Sequence, residues 1–216
     1  MLRLIHLFLV AALLAPALAG ADTVVKDPDD PSGAAILGTG YSYTYANSFI
    51  APNDGVVTEL GVWLRSGSAG RVRFEVYESL GGDPLLGPDA TALLARSPVA
   101  TGYYPTLSFV DFTSGITSFG GLLAGNTYWV AATVVGLCGC TEYNVAGHVQ
   151  NSDGIVDNGQ FWWSDDPAGR VFKGNWPGDE MAFSVTVSPV PEPAAWAMLP
   201  LGLGLAGAAR RARRRV

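Results

Sequence analysis

The chain has 216 residues, 49% of them apolar and 15% charged, with 27 Gly, 14 Pro, two Cys and two His. That length fits one ordinary domain, the apolar share excludes a disordered chain, and so little charge excludes a long coiled coil. Two cysteines cannot build a multi-disulfide scaffold or a four-cysteine zinc site; residues 20–189 carry seven basic against 18 acidic residues, a body too acidic to bind nucleic acid or an anionic membrane surface.

Arg3, the apolar run Leu7–Leu14, the break at Pro16 and the small residues Ala17 and Ala19 follow the order of a secretory signal peptide over residues 1–19. Cleavage before Gly20 fits best, and cleavage after Ala21 is second. Export places the mature chain in an oxidising compartment. Residues 20–34, rich in Asp and Pro (DTVVKDPDDPS at 22–32), read as a flexible acidic leader.

Residues 35–188 read as one β-sandwich domain. No stretch keeps a 3.6-residue apolar period over three turns; period-2 runs bounded by Gly, Pro, Asn and Asp recur instead. They predict strands at Ser42–Ile50 and Val56–Leu64, then a strand in which Val72, Phe74 and Val76 face one way and Arg71, Arg73, Glu75 and Tyr77 the other. Leu93–Ser97, Leu107–Phe112, Thr127–Val135, Gly147–Gln150, Gln160–Ser164 and Met181–Val187 follow. Tyr128–Val135 is apolar on both faces and belongs at a sheet centre. Short strands with loops between them predict an all-β, antiparallel two-sheet sandwich, jelly-roll-like in form.

The loops of this body offer little catalytic chemistry. Ser66-Gly67-Ser68-Ala69-Gly70 lacks the first glycine of a nucleophile elbow, and His148 is the sole histidine outside the signal region. Asp153 with Asp157, Asp165 with Asp166, and Asp179 with Glu180 form carboxylate pairs, but in turn-rich text, where Asp serves turn geometry. Glycoside hydrolysis, which needs two carboxyls in a cleft, is therefore the third reading, and no catalytic residue is assigned. The same loops leave a structural calcium ion open as the one cofactor, although no D-x-D-x-D-G loop is present and no metal ligands are assigned.

Aromatic residues carry a stronger signal. Tyr103, Tyr104, Trp162, Trp163 and Trp176 lie in or beside predicted loops, where flat rings can stack on sugars. The competing reading is core packing. Neighbours in a strand point opposite ways, so Trp162 and Trp163 cannot both face inward. Cys138 and Cys140 are expected to form a small disulfide, because Gly139 lets the chain bend between them. Free thiols or an intermolecular bridge are the alternatives.

The C-terminal segment is VPEPAAWAMLPLGLGLAGAARRARRRV at 190–216. Ala194–Ala209 is uncharged; as a helix its 16 residues span about 24 Å, slightly short of a hydrocarbon core of about 30 Å. Arg210, Arg211, Arg213, Arg214 and Arg215 close the chain and mark the cytoplasmic flank of a transmembrane helix. Gly202–Gly207 spells GxGxxG inside that helix, the wrong context for a dinucleotide site. Pro191-Glu192-Pro193, the apolar run and the arginines together resemble a PEP-CTERM sorting signal. The resemblance implies recognition by a membrane-embedded exosortase, removal of the tail, and a Gram-negative host that makes exopolysaccharide and biofilm.

The order of pieces in the body is also similar to exported β-sandwich domains that precede such tails: Ser48-Phe49-Ile50-Ala51-Pro52, Gly55-Val56-Val57-Thr58, Phe74-Glu75-Val76-Tyr77, Leu122 through Val130, and Met181-Ala182-Phe183-Ser184-Val185. These are folding signals and transfer no activity. The expectation is a non-enzymatic protein with residues 189–216 as its sorting tail. The tail holds it at the membrane transiently, and the protein then becomes a component of the cell surface or extracellular matrix. A carbohydrate-binding module for exopolysaccharide is the alternative.

Overall fold

The computed structural model describes residues 22–26, 33–38, 43–66, 70–102, 106, 108–135, 142–147, 161–166, 171–175 and 181–189. Strands in chain order are β1 (Asp22–Lys26), β2 (Gly33–Gly38), β3 (Thr44–Ile50), β4 (Val56–Ser66), β5 (Gly70–Ser79), β6 (Pro88–Gly102), β7 (Ser108–Phe112), β8 (Thr117–Ser118), β9 (Thr127–Val134), β10 (Glu142–Gly147), β11 (Phe161–Ser164), β12 (Lys173–Asn175) and β13 (Phe183–Ser188). Two short 3-10 turns, Leu80–Gly82 and Pro84–Leu86, join β5 to β6. Among the described residues no helix is long and apolar enough to cross a membrane. The expected signal peptide and the expected helix at 194–209 lie outside the described residues.

Antiparallel pairing gives a seven-stranded sheet in the order β12-β11-β3-β9-β5-β6-β8 and a six-stranded sheet of β1, β2, β4, β7, β10 and β13. A strand has two edges, and the register of β4 shows how its three partners share them. Leu60 and Val62 pair with both β7 and β13, which must therefore lie on opposite edges. Leu64 pairs with both β7 and β10, so β10 also lies opposite β7. Hence β13 and β10 run end to end along one edge of β4. With β1 paired to β13 and β2 to β10, β1 and β2 form one broken edge strand along that composite.

Within the leader expected over 20–34, the residues that are described are strand instead. Asp22–Lys26 is β1 and Gly33–Gly38 is β2. Thr23, Val24 and Val25 are good β-formers, and pairing with Val187–Phe183 outweighs the surrounding Asp and Pro. Val24 packs on the main core. Sequence reading did not mark β10, which pairs with Leu64–Ser66 and Gly33–Gly38; of the strand expected at Gly147–Gln150 only Gly147 is described, as the last residue of β10. Residues 148–150 lie outside the described residues.

The two sheets enclose one core. Tyr45, Phe49, Val72, Phe74, Val76 and Val130 come from the seven-stranded sheet; Leu60, Val62, Leu64, Phe183 and Val185 come from the six-stranded one. Phe49 meets Phe183 edge to face at 6.1 Å between centroids, and Phe74 meets Phe112 at 5.8 Å, the geometry aromatic quadrupoles favour. Buried Asn47 uses its Oδ1 to accept from the Met181 amide at 3.1 Å, tying the sheets together.

Deleting residues 22–26 uncovers the edge of β13, and open edges recruit other strands. The expected outcome is lower thermal stability and concentration-dependent association on size-exclusion chromatography. Unchanged elution at high concentration would speak against an edge-covering role for β1.

Candidate functional site

On the outer face of the seven-stranded sheet, aromatic, charged and hydroxyl side chains converge. Alternation places them there: on β5, Arg71, Arg73, Glu75, Tyr77 and Ser79 share the face opposite Val72, Phe74 and Val76. On β9, Trp129, Ala131 and Thr133 share it. This face is not a solvated one. Trp129 is 0% exposed, Tyr77 5% and Glu75 2%.

Its cover comes from the neighbouring β6 and from distant parts of the chain. Ala46, Tyr77, Trp129 and Ala131 form a second apolar cluster, with Leu93, Trp162 and Phe172 packed on it. Trp162 meets Trp129 in a T-shaped contact at 6.3 Å, and Phe172 meets Tyr77 at 5.9 Å. Gly87, at φ 80, lies so near Trp162 that a Cβ there would come within 2.6 Å of the indole. Only glycine supplies both that conformation and that clearance.

Glu75 sits at the centre of this face. Its Oε1 accepts from Arg96 Nε at 2.9 Å and pairs with the Arg73 guanidinium at 2.9 Å. Its Oε2 accepts from the Tyr77 hydroxyl at 2.7 Å and from Thr133 Oγ1 at 3.1 Å. Thr44 donates to Thr133 at 3.3 Å, so the network crosses β3, β9, β5 and β6. The Trp129 indole N–H donates to Ser79 Oγ at 3.1 Å. Burial, then the charge and hydrogen bond of Glu75, push the Tyr77 phenol far above its usual 10.0. Tyr77 therefore stays protonated and donating. The carboxylate is occupied by two cations and two hydroxyls, which makes it an electrostatic clamp between strands.

Of the candidate sugar-stacking residues, Trp162 and Trp163 are described, and they lie on opposite faces. Trp162 joins the outer cluster, while Trp163 packs against the main core. Both are half-buried. Tyr103, Tyr104, Trp176, Cys138 and Cys140 lie outside the described residues, as do Asp153, Asp157, Asp179 and Glu180. Asp165 is exposed and pairs with Lys173 at 2.7 Å. Among the described residues no three His, Cys, Asp or Glu side chains gather as a metal site. The Glu75 network was missed by sequence reasoning; the Arg-x-Arg-x-Glu alternation on β5 was its signal.

A recess of about 500 Å³ lies elsewhere, between the 3-10 turns and the loop at 121–127. Glu78, Ser79, Asn126 and Thr127 supply its polar lining. Its one ring, Tyr128, uses its hydroxyl to accept from the Leu123 amide at 2.8 Å.

The body is thus an all-β two-sheet sandwich, and its last strand leads directly into an address. Residues 189–215 match the family described as the PEP-CTERM protein-sorting motif. Pro191, Glu192 and Pro193 and all five terminal arginines fall inside that match. A signal of this class implies an exported protein handled by an exosortase, with a cell-surface or extracellular location. No curated protein matches the chain in sequence. Among solved structures the chain is similar to the cysteine protease and lectin-like domains of Cwp84, a surface layer associated protein of Clostridium difficile. Identity is 10% and the TM-score 0.47, over 77% of this chain and 38% of that one. The chain therefore spans well under half of that structure's length.

Replacing Glu75 with Ala strands two guanidiniums and two hydroxyls. Because Arg73 and Arg96 keep 25% and 39% side-chain exposure, they can turn to water. The expected loss is about 2–3 kcal/mol, below that of a fully buried pair, read from urea unfolding. Tyr77 gives an alkaline signature. Its folded pKa is raised, so its contribution is fully present below the unfolded value of 10.0 and is lost as pH climbs beyond it. The wild type should lose about 1.4 kcal/mol more per pH unit above that point than Tyr77→Phe; parallel curves would contradict this.

Proposed function

We propose that this is an exported, non-enzymatic β-sandwich whose tail spans the inner membrane of a Gram-negative cell until an exosortase removes it. The released body then serves as a surface or extracellular-matrix component. The crossed strand order goes with a jelly-roll-like sandwich. One observation carries the reading: the sorting motif begins at residue 189, directly after β13 ends at Ser188. Every described strand lies before the motif, so a cut at Pro191–Pro193 removes no strand from the described sheets.

Among the described residues, the rings offer no platform for a carbohydrate-binding module: stacking on sugar needs coplanar, open rings, whereas Trp162 and Trp163 face opposite ways and Trp129 is wholly covered. The Glu75 carboxylate is engaged by four donors, so an acid–base role would first require breaking the clamp.

Intact-mass measurement of protein recovered from the cell surface tests the proposal. The expected species ends within or near Pro191–Pro193. A surface pool that still carries Val216 would overturn it.

A further inference from the structure

The end of the sandwich from which the tail departs also carries most of the exposed large apolar side chains among the described residues. At that end the loop after β3 wraps the exit of β13. Asn53 Nδ2 donates to the Val187 carbonyl at 3.5 Å, and the Thr58 and Ser188 hydroxyls lie 3.0 Å apart. A Cβ on Gly55 would collide with the Ser188 carbonyl. The same loop holds the segment at 122–126. Gly55 and Leu122 exchange backbone bonds of 3.0 and 2.7 Å, and Asp54 accepts from the Ala124 amide at 2.7 Å. Ser79 Oγ, bonded to the Thr127 carbonyl at 3.0 Å, brings in the end of β5 and the 3-10 turns beyond it. Asp22, the start of β1, pairs with Val187 at this end too.

Of the eight large apolar side chains exposed among the described residues, five sit here: Ile50, Leu80, Leu85, Leu86 and Leu123. Leu85 is 68% exposed and Leu123 59%. A sandwich gains nothing from leaving leucines at its loop tips in water, and clustered exposed apolar residues mark a contact surface.

We propose that this end of the body rests on the bilayer while the tail is in place, with Leu80, Leu85, Leu86 and Leu123 inserted at the lipid interface. The inference depends on reading residues 194–209 as the membrane span. Six residue steps separate Ser188 from Ala194, a reach of about 20 Å at full extension. The chain itself therefore keeps the exit of β13 within about 20 Å of the start of the span. Asp54, Glu78 and Asp83 are exposed at this end, so the surface that fits is zwitterionic rather than anionic. Apolar loops at the headgroup level add binding in proportion to the area they bury. Once the tail is cut, four leucines at an acidic rim hold too weakly to retain the body.

The test uses the full-length chain in phosphatidylcholine nanodiscs doped with a diazirine-bearing lipid, with adducts mapped by mass spectrometry. Adducts are expected on peptides covering 80–86 and 122–126 as well as 194–209. In a Leu85→Asp, Leu86→Asp variant, whose changes fall on exposed positions, labelling of 80–86 should fall several-fold while that of 194–209 holds. Adducts confined to 194–209 would overturn the docking and leave the span intact. An unlabelled 194–209 would overturn the span, and the docking with it.

Discussion

Glu75 is the constraint around which the seven-stranded sheet is arranged. A carboxylate 2% exposed is costly unless its charge and lone pairs are matched. Matching them dictates what its neighbours can be. Arg96 stands directly across the β5–β6 pair, Arg73 and Tyr77 flank it two residues away on the same strand, and Thr133 reaches from β9. With those partners in place the outer face can be sealed by Trp129, Trp162 and Phe172. The middle of the sheet is then buried on both sides, one face on the common core and the other under its own lid.

The six-stranded sheet solves a different problem. β4 is 11 residues long, longer than either β13 or β10, so two shorter strands laid end to end are needed to cover its edge. Those two leave an edge of their own, and β1 with β2 covers it in the same divided way. β7 takes the remaining edge of β4 over Leu60–Leu64. Pairing therefore reaches from the first described residues to the last, and both ends of the body meet where Asp22 stands beside Val187.

Much of this was legible in the sequence. Strands rich in Val, Phe and Tyr, such as β3, β5 and β9, announce themselves by alternation, and the tail does so because its three parts are contiguous. The opposite orientation of Trp162 and Trp163 followed from the period of a strand. Legibility ended where non-local contacts decide. β1 is embedded in Asp and Pro, β2 reads Gly-Ala-Ala-Ile-Leu-Gly, and β12 is Lys-Gly-Asn; each becomes a strand through its partner rather than its own propensity. The alternation of Arg73 and Glu75 was visible, but burial of that face was not. Two of the residues that cover it, Trp162 and Phe172, lie far along the chain.

The pairing of β1 with β13 joins strands some 160 residues apart in a chain of 216. Contacts of such long separation form late, because the loop they close must be paid for before any bond rewards it. In the export route proposed above, with the N-terminus crossing first, β1 has nothing to pair against until β13 arrives. The six-stranded sheet then cannot close while the chain is still in transit. The topology therefore ties completion of this sheet to the last described strand. Because the sorting motif begins at residue 189, the last strand of the sheet and the motif are neighbours in the chain.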